Sequence, residues 1–280
     1  MNQVQKCILD IYKEFVKICE DNDLQYFAIG GTCIGSARHQ GFIPWDDDMD
    51  IGMPIEDFII FQKIAAQNLP NHLTLMSPEN KKHDYLNFIK IMDSRTTMTE
   101  KKFKYWPDTY EGVWLDIMPL PGIPDPGAQR DSYLRRIRFY KSGNYKLRTP
   151  IDMQGSSAGK ALWSVISLIK PFTSYDYYWR KFVQYIGAHP LSGSQYTGYV
   201  WSERVKRLIF PSIWFNSYID MPFEDTTVRM PGGWQEMLTQ MYGNYMELPP
   251  KEQQNSNHGI DEEMFSLSKS YLKYQEESQR

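Results

Sequence analysis

The sequence predicts an α+β protein, a mixed sheet in the first half and a mostly helical second half, and three observations predict it. Apolar residues at three- and four-residue spacing open the chain, short extended segments punctuated by glycine and proline follow, and beyond about residue 126 the patterns are mostly helix-compatible. In order, Val4, Ile8, Ile11, Phe15, Ile18 and Cys19 form one face of an amphipathic helix. Residues 26–29 read as a short strand stopped by Gly30-Gly31. Thr32 can cap a short helix to about His39, and 41–44 turn the chain into a second strand, 48–53, where Met49, Ile51 and Met53 alternate with polar or small residues. Pro54 suits a helix start, and Phe58, Ile59, Phe61, Ile64 and Ala65 mark a helical face that ends before Pro70. Two further strands are expected at 85–92 and 112–118, before a Pro- and Gly-rich run, 119–127, that marks a boundary between 1–125 and 126–280. After it, 130–140, 159–169, 175–186 and 234–242 carry helical patterns, and 266–280 is a polar tail or terminal helix.

With 280 residues, 41% hydrophobic and 23% charged, the chain can bury a core without disulfide or metal staples and resembles neither a disordered nor a membrane-embedded protein. Its longest mainly apolar stretch, 161–169, lies between Lys160 and Lys170, far short of the roughly 20 residues a bilayer requires. Asp10, Lys13, Glu14, Lys17, Glu20, Asp21 and Asp23 interrupt any signal-peptide core, so a cytoplasmic protein is expected. Cys7, Cys19 and Cys33 have no histidines at zinc-ligand spacing and read as small buried residues. A net charge of −3 argues against nucleic-acid binding. That average hides two opposed clusters. Residues 46–57 hold six acids (Asp46, Asp47, Asp48, Asp50, Glu56, Asp57) and no base, whereas 130–148 hold seven bases against Asp131 alone.

The run Trp45-Asp46-Asp47-Asp48-Met49-Asp50-Ile51 is the sharpest chemical signal. Side chains alternate along a strand, so Asp48 and Asp50 face one way with backbones about 6.5 to 7 Å apart, close enough for both carboxylates to converge on one cation. Asp46 joins that face if the strand starts early. Such a pair repels unless a cation or protons neutralise it, and a hard divalent ion fits, magnesium foremost and manganese next. Asp116 supplies a third acid, interrupting the otherwise apolar Val113-Trp114-Leu115-Asp116-Ile117; a lone buried Asp is costly unless paired or metal-bound. An EF-hand calcium loop fails because Ile51 stands where glycine is needed and Asp57 where glutamate is needed. A solvated acidic turn explains neither the same-face pair nor Asp116.

Gly30, Gly31 and Thr32 lie between strand and helix, where backbone N–H groups and the positive helix end cradle a phosphate. A phosphate cradle followed by an Asp-x-Asp strand supplies both halves of a nucleotidyltransferase-type site. Lys90, in the apolar strand Asn87-Phe88-Ile89-Lys90-Ile91-Met92, either brings positive charge to a phosphate or points to solvent. Arg38 and His39 are phosphate contacts or the polar end of a short helix.

The string GGTCIGSARHQGFIPWDDDMDI at 30–51 resembles the LicD family, bacterial phosphocholine transferases related to fukutin and fukutin-related protein. The resemblance continues at 87–93, at 113–125 (VWLDIMPLPGIPD) and at 242–250 (YGNYMELPP), and is faint between about 130 and 215. It implies a nucleotidyltransferase-like fold that transfers a phospho-substituent, phosphocholine foremost, from a CDP-activated donor to a hydroxyl of a cell-surface glycan, releasing CMP. Carried over by position, Asp48, Asp50 and Asp116 are the catalytic residues and magnesium ligands, with Asp46 close by. Gly31 and Thr32 would bind the diphosphate and Lys90 would neutralise the leaving side, with Gly30, Arg38, His39 and Trp45 completing the substrate-binding set. A choline headgroup needs an aromatic enclosure, for which Trp45, Tyr105, Trp106, Tyr110, Trp114 and Trp201 are candidates. The zinc-binding insertion of the fukutin-related proteins has no cysteines to support it here, which places the chain with the smaller bacterial members.

The resemblance further implies a catalytic core over 1–125, N-terminal helix included, and a mainly helical region over 126–280 that completes a donor and acceptor cleft. Expected partners are a CDP-linked donor, a glycan or lipid-linked glycan acceptor, and an anionic membrane met peripherally at its inner face through 130–148. Nucleic acid is not expected. Three alternatives stay open: transfer of a glycerol or ribitol phosphate or a phospho-sugar in capsule or teichoic acid synthesis, a nucleotidyltransferase releasing pyrophosphate, and a non-catalytic metal- or glycan-binding domain.

Overall fold

The computed structural model describes residues 1–104, 106–149, 156–169, 173–256 and 258–278, with backbone alone at 166, 167 and 169. Tyr105 and Lys170, named above, lie outside the described residues, as do 279 and 280 of the expected terminal helix. The chain opens with α1 (Gln3–Asp21), started by a reciprocal cap in which Asn2 Oδ1 accepts the Gln5 N–H and Gln5 Oε1 accepts the Asn2 N–H, both at 2.9 Å. Its predicted apolar face is buried through Ile8, Ile11, Phe15, Ile18 and Cys19. Then come β1 (Phe27–Ala28), α2 (Gly30–His39), β2 (Asp50–Pro54) and α3 (Ile55–Asn68), the predicted strand, glycine turn, helix and strand.

Two details differ from expectation. Helix α2 starts at Gly30, so Thr32 lies within its first turn, and no side chain caps it. Strand β2 starts at Asp50, which leaves Asp46, Asp47 and Asp48 in the loop before it. Strand alternation therefore does not set the Asp48 side chain.

Strands β3 (Leu73–Met76), β4 (Ile89–Asp93), β5 (Thr97–Glu100) and β6 (Trp114–Leu120) follow. The main sheet has the order β1-β2-β6-β4-β3, with β2 and β6 parallel and every other neighbouring pair antiparallel. Every residue of β4 and β6 is buried, as central strands require, and α1 and α3 pack on the sheet. Two registers matter: Asp50 lies opposite Asp116, and Asp116 lies opposite Lys90. Three charged residues thus stand in one row across three adjacent strands.

The second half contains β7 (Gly122–Ile123), α4 (Ala128–Arg148), α5 (Ser157–Ile169), α6 (Tyr177–Gly187), β8 (Tyr196–Gly198), β9 (Ile209–Pro211), β10 (Tyr218–Phe223), β11 (Thr226–Pro231), α7 (Trp234–Tyr242), β12 (Ile260–Ser266) and α8 (Tyr271–Ser278). The helices fall where periodicity put them, and the α+β class holds. The short strands between them carried no sequence signal. Strands β10 and β11 form a hairpin turned at Glu224-Asp225, with Glu224 at φ 54 in a position that usually announces itself by glycine. Strand β12 pairs with β5, Ile260 opposite Glu100, and the Lys101 N–H donates to Gly259 O at 2.8 Å, which pins 258–260 beside the main sheet. One buried cluster joins both halves through Ile51, Trp114, Trp179, Phe223 and Met264. Cys19 and Cys33 are buried, Cys7 is partly so, and all three thiols are free. Among the described residues no helix is long and apolar enough to cross a membrane.

Candidate active site

Parallel pairing of β2 with β6 brings Asp50 beside Asp116, and the loop before β2 lays Asp48 against both. One carboxylate oxygen from each lies within 4.8 Å of the other two. The loop is held from outside: the Gln5 amide of α1, itself buried, donates to Ile43 O at 3.2 Å and Asp46 O at 2.9 Å. Burial, and then the charge of Asp46, pushes the Asp48 carboxyl up to about 7. Asp50 is raised by burial and by Asp48 and Asp116. Asp116 rises to about 6, through burial partly opposed by Lys90. Asp116 Oδ1 is buried and accepts no hydrogen bond among the described residues. Three crowded carboxylates, one with an unused buried oxygen, form a hard oxygen set that can hold a divalent cation.

The first turn of α2 lies against Asp46 and Asp50, and its glycines make the approach possible. A Cβ on Gly31 would lie 2.8 Å from Asp46 Oδ2, and one on Gly30, whose φ is +54, would lie 2.9 Å from Asp50 Oδ2. The Thr32 hydroxyl is already engaged: its Oγ1 accepts the Asp50 backbone N–H at 2.8 Å, fixing the start of β2.

Lys90 stands differently from either reading of its sequence. Its side chain is 2% exposed, too deep to meet a ligand in solvent, and its ammonium lies 2.8 Å from Glu111 Oε1 and 3.9 Å from both Glu100 Oε1 and Asp116 Oδ1. Below it lies the Trp114 ring, 3.9 Å from Nζ to the ring centroid. Burial alone would lower its pKa, but Glu111, Asp116 and Glu100 outweigh that and keep it protonated. Lys90 is the buried counter-charge of the third acid.

Sequence reasoning passed over His258 entirely. The β5–β12 pairing carries it over the cluster, where Nδ1 lies 3.0 Å from Asp47 Oδ1, Nε2 lies 3.8 Å from Asp48 Oδ2, and the ring meets Trp114 edge-on at 5.5 Å. Burial pulls its pKa down, but the Asp47 hydrogen bond and the charges of Asp48, Asp116 and Asp47 lift it to about 9. Asp47, Asp48 and His258 form a second trio of potential ligand atoms that shares Asp48 with the first.

A cleft of about 640 Å³ opens beside the cluster, lined by Gly31, Arg38, Trp45, Asp46, Asp50, Tyr242 and Tyr245 among others. Arg38 is tied into its wall, its Nη1 donating to Tyr245 O at 3.0 Å and Glu247 O at 3.1 Å, and its Nε to His39 Nε2 at 3.0 Å. His39 in turn meets Trp45 edge-on at 6.4 Å. Of the aromatic residues singled out for an enclosure, Trp45 lines this cleft, Trp114 is buried beneath Lys90, Trp106 stacks on His83, the Tyr110 hydroxyl donates to Lys104 O, and Trp201 stacks on Tyr199. Tyr242 and Tyr245, which also line the cleft, were not foreseen.

Residues 23–123 match the family model described as LicD/FKTN/FKRP, nucleotidyltransferase domain. This segment is similar to the LicD-family domain. Over 267 residues, 92% of this chain and 96% of the relative, the sequence is 29% identical to the Lipopolysaccharide cholinephosphotransferase LicD of Haemophilus influenzae. A 66-residue stretch, 22% of this chain and 21% of the relative, is 42% identical to an uncharacterized protein of Rickettsia typhi. A 42-residue stretch, 15% of this chain and 8% of the relative, is 43% identical to the human Ribitol 5-phosphate transferase FKRP. The matched segment contains Asp48, Asp50, Asp116 and Lys90, whereas His258, Tyr242 and Tyr245 come from the chain beyond it.

Proposed function

We propose that the protein transfers a phospho-substituent from a CDP-activated donor to a hydroxyl of a cell-surface glycan and releases CMP. Phosphocholine is the substituent we favour, because the relative that this chain matches along most of its length is a cholinephosphotransferase. The observation that carries the reading is the convergence of Asp48, Asp50 and Asp116 at the N-terminus of α2. Asp48, Asp50 and Asp116 would hold magnesium, which when bound neutralises diphosphate oxygens and stabilises the charge that develops on them. The first-turn N–H groups of α2 would face the diphosphate. The acceptor oxygen attacks the distal phosphorus, the bond from that phosphorus to CMP breaks, and the hydroxyl proton passes to a carboxylate of the cluster. Lys90 acts from beneath by fixing Asp116, while Trp45, Tyr242 and Tyr245 offer aromatic faces to the donor's headgroup or base.

The test is CMP release by the purified protein from CDP-choline, CDP-glycerol and CDP-ribitol, with and without magnesium and a glycan acceptor. We expect turnover of one donor that depends on the divalent ion. Asp50→Asn or Asp116→Asn should lower it by about a hundred-fold or more, since a lost metal contact forfeits several kcal/mol and each 1.4 kcal/mol is tenfold. Pyrophosphate in place of CMP would assign a nucleotidyltransferase instead, and cation binding without turnover of any donor would leave a binding domain.

A further inference from the structure

Far from the carboxylates in sequence, the second half carries an apolar surface that nothing among the described residues covers. Helix α5 shows Leu162, Val165 and Leu168 at three-residue spacing, hence along one side, and they are 48%, 61% and 74% exposed. The Trp163 indole N–H donates to Thr149 O at 2.8 Å, which fastens α5 to the end of α4. The segment just before α6 meets the end of α4 as well, because the Arg148 guanidinium lies over the Tyr175 ring at 5.5 Å. Phe139 of α4, 58% exposed, touches Tyr178 edge-on at 5.9 Å, and Tyr175 and Tyr177 stand partly in solvent beside it in sequence.

The chain segments that carry this surface are rich in bases: residues 130–180 hold Arg130, Arg135, Arg136, Arg138, Lys141, Lys146, Arg148, Lys160, Lys170 and Arg180 against Asp131, Asp152 and Asp176. Lys141 and Arg148 are engaged inside, Lys141 with Glu203 at 3.1 Å and Arg148 with the carbonyls of Pro78 and Lys81. Arg135, Arg136, Arg138 and Lys160 are exposed, and the three arginines flank Phe139 in the chain.

We propose that α5, together with the exposed arginines of α4, docks the protein on an anionic lipid bilayer. At 13 residues α5 is about 20 Å long, shorter than the roughly 30 Å hydrocarbon core, so it lies in the interface with its apolar side down. The arginines reach anionic headgroups within a Debye length, and the tyrosines lie at the boundary that their amphipathic rings favour. A single modest apolar contact anchors poorly, and stable peripheral binding takes two signals, apolar and electrostatic, both of which this surface supplies. A second copy of the chain fits less well, since a two-fold contact would press arginines against arginines. This inference does not depend on the proposed reaction.

Flotation of the full-length protein with vesicles of phosphatidylcholine, with and without phosphatidylglycerol, tests it. The protein should float with the mixed vesicles, stay behind with the neutral ones, and be released by salt. Arg135→Glu/Arg136→Glu/Arg138→Glu should lower partition by about a hundred-fold, each arginine near the surface being worth roughly a five-fold change. Leu162→Ser/Val165→Ser/Leu168→Ser should also abolish flotation, and circular dichroism melting should show both variants folded. Failure of the wild type to float at low salt overturns the proposal, as does flotation of the folded arginine variant at wild-type level. A lipid-free dimer by sedimentation that Leu162→Ser/Val165→Ser/Leu168→Ser breaks would assign the surface to a second copy instead.

Discussion

The ammonium of Lys90 lies 2.8 Å from Glu111 Oε1 with both side chains sealed from solvent, the lysine 2% and the glutamate 0% exposed. Removing one partner of such a pair leaves the other as an uncompensated buried charge, which costs about 3–5 kcal/mol. Urea unfolding should therefore find Lys90→Met destabilised by that amount. Lys90→Met/Glu111→Leu should be closer to wild type than Lys90→Met alone, and a double mutant at least as unstable as Lys90→Met would show that the two residues do not act as a pair.

The pH dependence follows from the raised carboxyls. Unfolded, Asp48 and Asp116 lose their protons near pH 4, whereas in the fold they hold them to about 7 and about 6. The folded state thus binds more protons between those limits, and stability falls as pH rises through that window. His258, lifted to about 9, adds stability that is complete below its ordinary value of about 6.5 and is lost as pH rises through 9. Differential scanning fluorimetry in EDTA should show Tm declining from pH 5 to pH 9, and magnesium should remove the part of the decline that the carboxylates cause. A Tm that climbs over this range in EDTA would contradict the assignment.

How much was legible in the sequence depended on how local each signal is. The buried face of α1 and the position of Asp116 on an apolar strand are written within one turn or one strand, and both stand in the structure as read. Asp48 and Asp50 converge, but through a loop held by Gln5, some forty residues upstream, and not through strand alternation. Thr32 carries a cap's chemistry, yet tertiary packing gives its hydroxyl to the Asp50 N–H. Lys90 in an apolar strand could have faced solvent or substrate; only the positions of Glu111 and Glu100 decide that it faces neither. His258 had no sequence signal, since it follows no periodic element and its partner Asp47 is 211 residues away.

His258 compensates charge, and its removal should show that. A charge-assisted hydrogen bond is worth about 1.5–3 kcal/mol, so His258→Ala should lower metal-free stability by an amount of that order. Because the variant leaves Asp47 and Asp48 uncompensated, added magnesium should raise its Tm by more than it raises that of the wild type. An equal rise in both proteins would mean that the imidazolium does not neutralise the cluster.

Gly31 separates stability from function. Alanine is the better helix former by up to about 1 kcal/mol, but its Cβ would lie 2.8 Å from Asp46 Oδ2 and displace that carboxylate. Gly31→Ala should melt within a few degrees of wild type while binding manganese, followed by paramagnetic resonance, at least several-fold more weakly. Gly30→Ala should lose stability as well, about 1 kcal/mol, because its φ is +54.

The β5–β12 pairing that delivers His258 also imposes an order on how the site matures. The carboxylates at 48, 50 and 116 are synthesised well before residue 258. At roughly 5–20 residues per second, a nascent chain carries them without their imidazole for on the order of ten seconds. Any compact form that the first half reaches in that interval must balance the cluster with protons or solvent cations in place of the His258 imidazolium.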